Sequence, residues 1–170
     1  MSTTKVGIVM GSDSDWPKIQ SVASALDMFG VGYEVHVMSA HRTPEKAARY
    51  AKEARQNGLR VLIAAAGGAA HLAGALAAQT TLPVIGIPVE TALAGGLDSL
   101  LSTVQMPGDI PVATVGSGSG GAKNAGILAV EILAVADEAL AEKLSSFRKS
   151  LAQKIADKDA ALQAKLKMES

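Results

Sequence analysis

Cysteine is absent from this 170-residue chain, which excludes disulfides, thiolate metal sites and cysteine nucleophiles together. Aromatic residues make up only 3% of it, too few for the stacking platforms that hold single-stranded nucleic acid. Net charge is missing too: 16 basic residues balance 16 acidic ones, leaving no field to hold a polyanion or an anionic membrane surface. Neither a nucleic-acid nor a membrane partner is expected. Charge of either sign is scarce in the middle, where Glu90, Asp98 and Asp109 are the only charged residues between Val61 and Ala122.

What is there is a chain that is 48% hydrophobic, long enough for one domain with a real core. Val61 to Val89 carries no charge and exceeds the length of a membrane span. Its internal breakers argue against spanning: Gly67-Gly68, His71, Gln79-Thr80-Thr81, Pro83 and Pro88 cut it into pieces of strand and helix length. Lys5 leads straight into a short apolar run ended by Gly11, which does not read as a signal peptide. The expectation is a soluble, cytoplasmic protein.

The runs Val6–Met10, Tyr33–Met38, Arg60–Ala65, Val84–Ile87 and Val112–Val115 read as strands, several of them continuously apolar as in strands covered on both faces. Helical patterns occupy Asp15–Phe29, Thr43–Gln56 (Thr N-cap, Pro at the first helical position), Ala69–Gln79 and Ala122–Ala136. Strand and helix alternating at this spacing give right-handed βαβ units. The predicted fold is α/β, a three-layer αβα sandwich on a central parallel sheet, flavodoxin-like or Rossmann-like, with a long C-terminal helix. Leu133, Leu140, Leu144, Phe147, Leu151, Ile155, Leu162 and Leu166 form the apolar stripe of that helix. Residues 1–136 are read as the catalytic domain. Residues 137–170 are read as a helical extension packing on it or on a neighbouring subunit, with the final dozen residues frayed.

In such sheets the working loops lie beyond the carboxyl ends of the strands. Five segments are therefore singled out: Gly11–Asp15, Ser39–Thr43, Ala66–His71, Pro88–Gly96 and Gly116–Lys123. In the first, Gly11 and Ser12 can offer donors to an anion. Asp15 is either a plain helix N-cap or an acceptor for ribose hydroxyls. The second joins Ser39, Ala40, His41 and Arg42. Arg42 presents a bidentate fork suited to phosphate, and a histidine beside a bound anion suits general acid–base work. In the third, Gly67 and Gly68 let the backbone approach a ligand, and Ala70, His71 and Leu72 start a helix. A structural role for the His71 ring stands beside a ligand-facing backbone. The run Gly116–Gly121 reads as a mobile flap or a phosphate-contacting turn, with Lys123 at its end.

No zinc template, serine-hydrolase elbow, dinucleotide fingerprint or Walker loop is met. Taken together, Gly11–Trp16, Ser39–Pro44, Gly67–Leu72, Ser102–Pro107 and, more weakly, Gly120–Ala125 resemble the PurE family of purine biosynthesis, in family order and over roughly residues 5 to 150. The likeness is to its class I members. Class II resembles Ser-Ala-His-Lys-Thr and Gly-Arg-Ser-Asn in the second and third loops, where this chain has Arg42 and Gly68-Ala69-Ala70-His71. Ala73, where the family commonly has Pro, and Gly108-Asp109 depart from the pattern.

The resemblance implies a homo-octameric mutase that uses no cofactor or metal. It would convert 5-(carboxyamino)imidazole ribonucleotide to 4-carboxy-5-aminoimidazole ribonucleotide. It implies His41 as general acid–base, Ser12, Ser39 and Arg42 at the phosphate, Asp15 at the ribose, and Gly67 to Leu72 around the base and its carboxylate. The alternatives are a class II carboxylase using free carbon dioxide, a non-catalytic flavodoxin-like nucleotide-binding module, and a structural assembly protein.

Overall fold

A computed structural model describes residues 4–169. Five parallel strands, β1 (Thr4–Met10), β2 (Gly32–Val37), β3 (Val61–Gly67), β4 (Val84–Val89) and β5 (Ala113–Thr114), form one sheet in the order β2-β1-β3-β4-β5. This is the flavodoxin-like order, with its switch point between β1 and β3. Registry is regular along β1 and β3, from Val6 opposite Val61 to Met10 opposite Ala65.

The apolar runs of β1, β3 and β4 form strands covered on both faces, while β2 at the sheet edge is only partly covered. Val9, Leu62, Ala64 and Val84 join Ala47 and Ala51 of α3 (Pro44–Glu53) and Leu72 and Leu76 of α4 (Leu72–Ala77) in one buried cluster. The alternate residues Ile8, Ile63 and Ile85 are completely buried on the other face. Each such side chain contributes on the order of 1.5–3 kcal/mol. On that second side α2 (Ser21–Phe29) and α6 (Gly118–Ala134) meet closely. A Cβ on Gly126 would stand 2.7 Å from Ala25 Cβ and from the Val22 carbonyl oxygen.

Several boundaries differ from the sequence expectation. The helix expected over Asp15–Phe29 is a 3-10 turn (Asp13–Asp15), then α1 (Trp16–Ile19), then α2, interrupted at Gln20 with ψ −19°. Gly30, at φ 72°, stops α2 by donating to the carbonyls of Asp27 and Leu26. Thr43 does not cap α3 through its side chain. Its hydroxyl instead accepts from Ser39 N–H (2.9 Å) and donates to Ser39 C=O (3.1 Å), closing the loop before Pro44.

The glycine run expected as a flap opens α6. A Cβ on Gly121 would collide with the Gly116 carbonyl, so glycine is what lets that first turn close. A helix the sequence reading omits, α5 (Leu97–Val104), follows Gly96 and packs on β4. Helix α7 (Glu138–Glu169) is continuous to the last described residue. Contacts divide the chain after Ile132 into the sheet-bearing unit and a second unit that is essentially α7. Among the described residues no helix is long and apolar enough to cross a membrane.

Candidate active site

Three loops leave the carboxyl ends of β1, β2 and β3 and enclose a cleft of about 380 Å³ at the switch point. Its walls are Gly11, Ser12 and Asp15 after β1; Ser39, Ala40, His41 and Arg42 after β2; and Ala66, Gly67, Ala69 and Leu72 at and beyond the end of β3. The segments Pro88–Gly96 and Gly116–Lys123 contribute no lining residue, Lys123 included. Pro88–Gly96 is tied to α1 instead, by a bond from Lys18 Nζ to the Glu90 carbonyl at 2.9 Å.

Ser39 organises the second loop. Its Oγ accepts from the backbone N–H groups of both His41 and Arg42, each at 3.2 Å, which leaves its own hydroxyl proton free for a ligand. Arg42 crosses to the first loop, where Nη2 donates to the Gly11 carbonyl at 2.8 Å. That bond aims the guanidinium along the cleft while engaging one corner of its donor fork.

Asp15 makes no side-chain capping bond at the start of α1, so the simple N-cap reading does not describe it. Its carboxyl lines the cleft, half-buried. Partial burial raises its pKa above the ordinary carboxylate value and Asp13 adds to this, against Lys18 and the Ser12 backbone N–H, which lower it.

The third loop supplies a contact that sequence reasoning missed. His71 Nδ1 lies 2.9 Å from His41 Nε2, with the rings edge to face. One ring donates and the other accepts, so each sets the tautomer of the other. His71 thus touches the cleft through His41 and is not itself a wall residue. Gly68 and Ala70 do not line the cleft; their backbones turn toward α5. Ala66 and Ala69 line it too; both fall in the segment singled out from the sequence, though neither is named there as a binding residue. Their only signal is position, Ala66 in the last residues of β3 and Ala69 just before α4, since alanine has no chemistry to notice. Among the described residues no three of His, Cys, Asp or Glu gather as metal ligands would.

A family model for AIR carboxylase matches residues 5–154. The chain belongs to that family. Relatives within the AIR carboxylase family include the N5-carboxyaminoimidazole ribonucleotide mutase of Synechocystis sp., 55% identical over 158 residues, spanning 93% of this chain and 89% of the relative. The Bacillus subtilis mutase of the same name is 54% identical over 150 residues, 88% of this chain and 93% of that one. The crystal structure of Treponema denticola PurE superposes with a TM-score of 0.84 at 32% identity, covering 94% of this chain and 98% of that chain. The fold is that of the AIR carboxylase family, and the PurE resemblance of the sequence stands. Of the two departures from the family pattern, Ala73 is buried in α4 and Asp109 takes a left-handed backbone at φ 73°; neither lies in the cleft.

Proposed function

We propose that the protein is an N5-carboxyaminoimidazole ribonucleotide mutase of purine biosynthesis. The observation that carries the chemistry is one loop placing His41 and Arg42 side by side in the cleft, with His41 held by His71. The names of relatives about 55% identical support the same reading.

Arg42, with the Ser39 and Ser12 hydroxyls, binds the substrate phosphate, and Asp15 accepts from the ribose hydroxyls. His41 protonates the exocyclic nitrogen as its bond to the carboxylate carbon breaks, and the bonding pair stays on nitrogen. Carbon dioxide is released inside the cleft. Ring C4 then attacks it, forming the new carbon–carbon bond, and neutral His41 removes the C4 proton, so the histidine ends as it began. The uncharged walls Ala40, Ala66, Gly67, Ala69 and Leu72 keep the released carbon dioxide from water. The reaction needs no cofactor and no metal in this scheme.

The assay is turnover of synthetic carboxyamino nucleotide with and without bicarbonate. Bicarbonate-independent turnover, abolished in His41→Asn with fold retained, is expected. A requirement for bicarbonate would replace the mutase reading with that of a carboxylase using free carbon dioxide, and full activity in His41→Asn would remove the histidine from its role.

The protein is further proposed to be cytoplasmic and to assemble as a homo-octamer. Supporting self-association, α7 exposes Leu151, Ile155, Leu162 and Leu166 at spacings of four, seven and four. Helix α5 exposes Leu97, Leu101 and Val104. Such stripes match faces that another subunit covers. Sedimentation equilibrium giving eight chains is the expected result; a monomer would refute it.

A further inference from the structure

The motif Ser102–Pro107 belongs to the family resemblance, yet none of its residues reaches the cleft. Its first residue lies on α5, whose hydroxyls face the glycine loop after β3. Ser99, completely buried, accepts from Gly68 N–H at 2.9 Å and donates to the Val89 carbonyl at 2.7 Å, so both of its functions are used. One turn on, Ser102 Oγ accepts from Ala70 N–H at 3.0 Å. It lies 2.8 Å from the Gly68 carbonyl and 2.7 Å from that of Asp98, and its single proton serves one of them at a time.

The start of α5 is itself fixed. Asp98 Oδ1 accepts from Thr91 Oγ1 at 2.6 Å and from Ser99 N–H at 2.8 Å. The loop these serines hold is short and needs holding. Gly68 sits in the left-handed region at φ 66°, and Ala70 N–H and His71 N–H turn back within the loop to the carbonyls of Gly68 and Ala69, each at 2.8 Å. Its last residue is His71, whose ring meets His41. A continuous series of bonds therefore runs from the β4 backbone through Ser99 and Ser102 to the backbone of Gly68 and Ala70, and so to the two histidine rings.

We propose that Ser102, with Ser99 behind it, is a positioning residue for the reaction: it fixes the Gly68–Ala70 backbone so that the His71 ring holds His41 in one tautomer. The inference rests on the role of His41 proposed above. A hydroxyl one atom beyond Cβ is long enough to reach both the Ala70 N–H and the Gly68 carbonyl from α5.

The test is a cycle of Ser102→Ala and His71→Asn, singly and together, read by kcat, KM and the 15N shifts of the ligand-free histidine rings. Ser102→Ala is expected to lower kcat tenfold or more, leave KM within twofold and move the His41 and His71 ring shifts. Ser102→Thr, which retains the hydroxyl, should restore both readouts. In the His71→Asn background Ser102→Ala should cost no more than twofold further in kcat. Multiplicative losses, or ring shifts unchanged in Ser102→Ala, would reduce the serine to a structural group and overturn the proposal. If Ser102→Ala does not fold, Ser102→Cys takes its place, filling the same space with a weak donor and acceptor. The ring shifts need no turnover, so absence of mutase activity would defeat the functional reading while this measurement still decides whether Ser102 sets the rings.

Discussion

Removing the Arg42 guanidinium should separate affinity from stability. In the free protein the Arg42 side chain is exposed and donates to the Gly11 carbonyl at 2.8 Å. The guanidinium makes this bond charge-assisted, but solvent exposure screens it and leaves a net worth of about 1 kcal/mol or less. Arg42→Ala should therefore melt close to the parent. With a phosphate in the cleft, the fork forms charge-assisted bonds of roughly 1.5–3 kcal/mol each. A pair of unit charges 4 Å apart near a protein surface adds about 4 kcal/mol before desolvation is subtracted. A net loss of about 2–4 kcal/mol follows, which is on the order of 30- to 1000-fold in kcat/KM, carried by KM.

The deciding comparison is the same substrate without its phosphate. Parent and Arg42→Ala should use the dephosphorylated nucleoside almost equally, and the nucleotide advantage of the parent should shrink with added salt. Arg42→Lys should recover part of the affinity, since it retains the charge and loses the planar fork. An equal penalty on nucleoside and nucleotide would refute the assignment of Arg42 to the phosphate.

Asp15→Asn should raise the melting temperature at neutral pH while weakening substrate binding. Burial lifts the folded-state pKa of Asp15, so its ionised form costs stability above that raised value; the gain should fade as pH falls toward 3.8, and a gain that grows on acidification would contradict it. Gly126→Ala forces a methyl against the Val22 carbonyl and Ala25, and urea unfolding should show a loss of about 1–3 kcal/mol. Tyr50 donates to Glu34 Oε1 at 2.8 Å, and burial together with this bond pushes its phenol pKa far up. Tyr50→Phe should cost about 1 kcal/mol in chemical denaturation with kcat unchanged, since neither partner lines the cleft.

Strands β1, β3 and β4 were legible because continuous apolar runs bounded by glycine and polar turns have few other homes than a sheet covered on both sides. The second loop was legible because Ser39, His41 and Arg42 sit within four residues of one another. The His41–His71 contact was not, because it depends on strand order. Strands β2 and β3 flank β1, so their loops start two strand spacings apart, about 10 Å, and two facing rings span that gap. Pattern along the chain carries no such adjacency. Helix α5 escaped for a local reason: eight residues after two glycines give barely two turns of periodicity. Asp15 stayed open because a cap and a ribose acceptor call for the same side chain at the same place, and only the missing capping bond separates them.

Among the described residues, those lining the cleft all fall between Gly11 and Leu72, in the first half of the chain. That half could not be excised as a minimal enzyme. Leu62 to Gly67 pair with Val84 to Val89, so a fragment ending after α4 would leave the inner edge of β3 unpaired. An open, apolar strand edge recruits other chains. Such a fragment should aggregate even though it carries all the wall residues, and the second half of the chain is in this sense a covalently attached chaperone for the first.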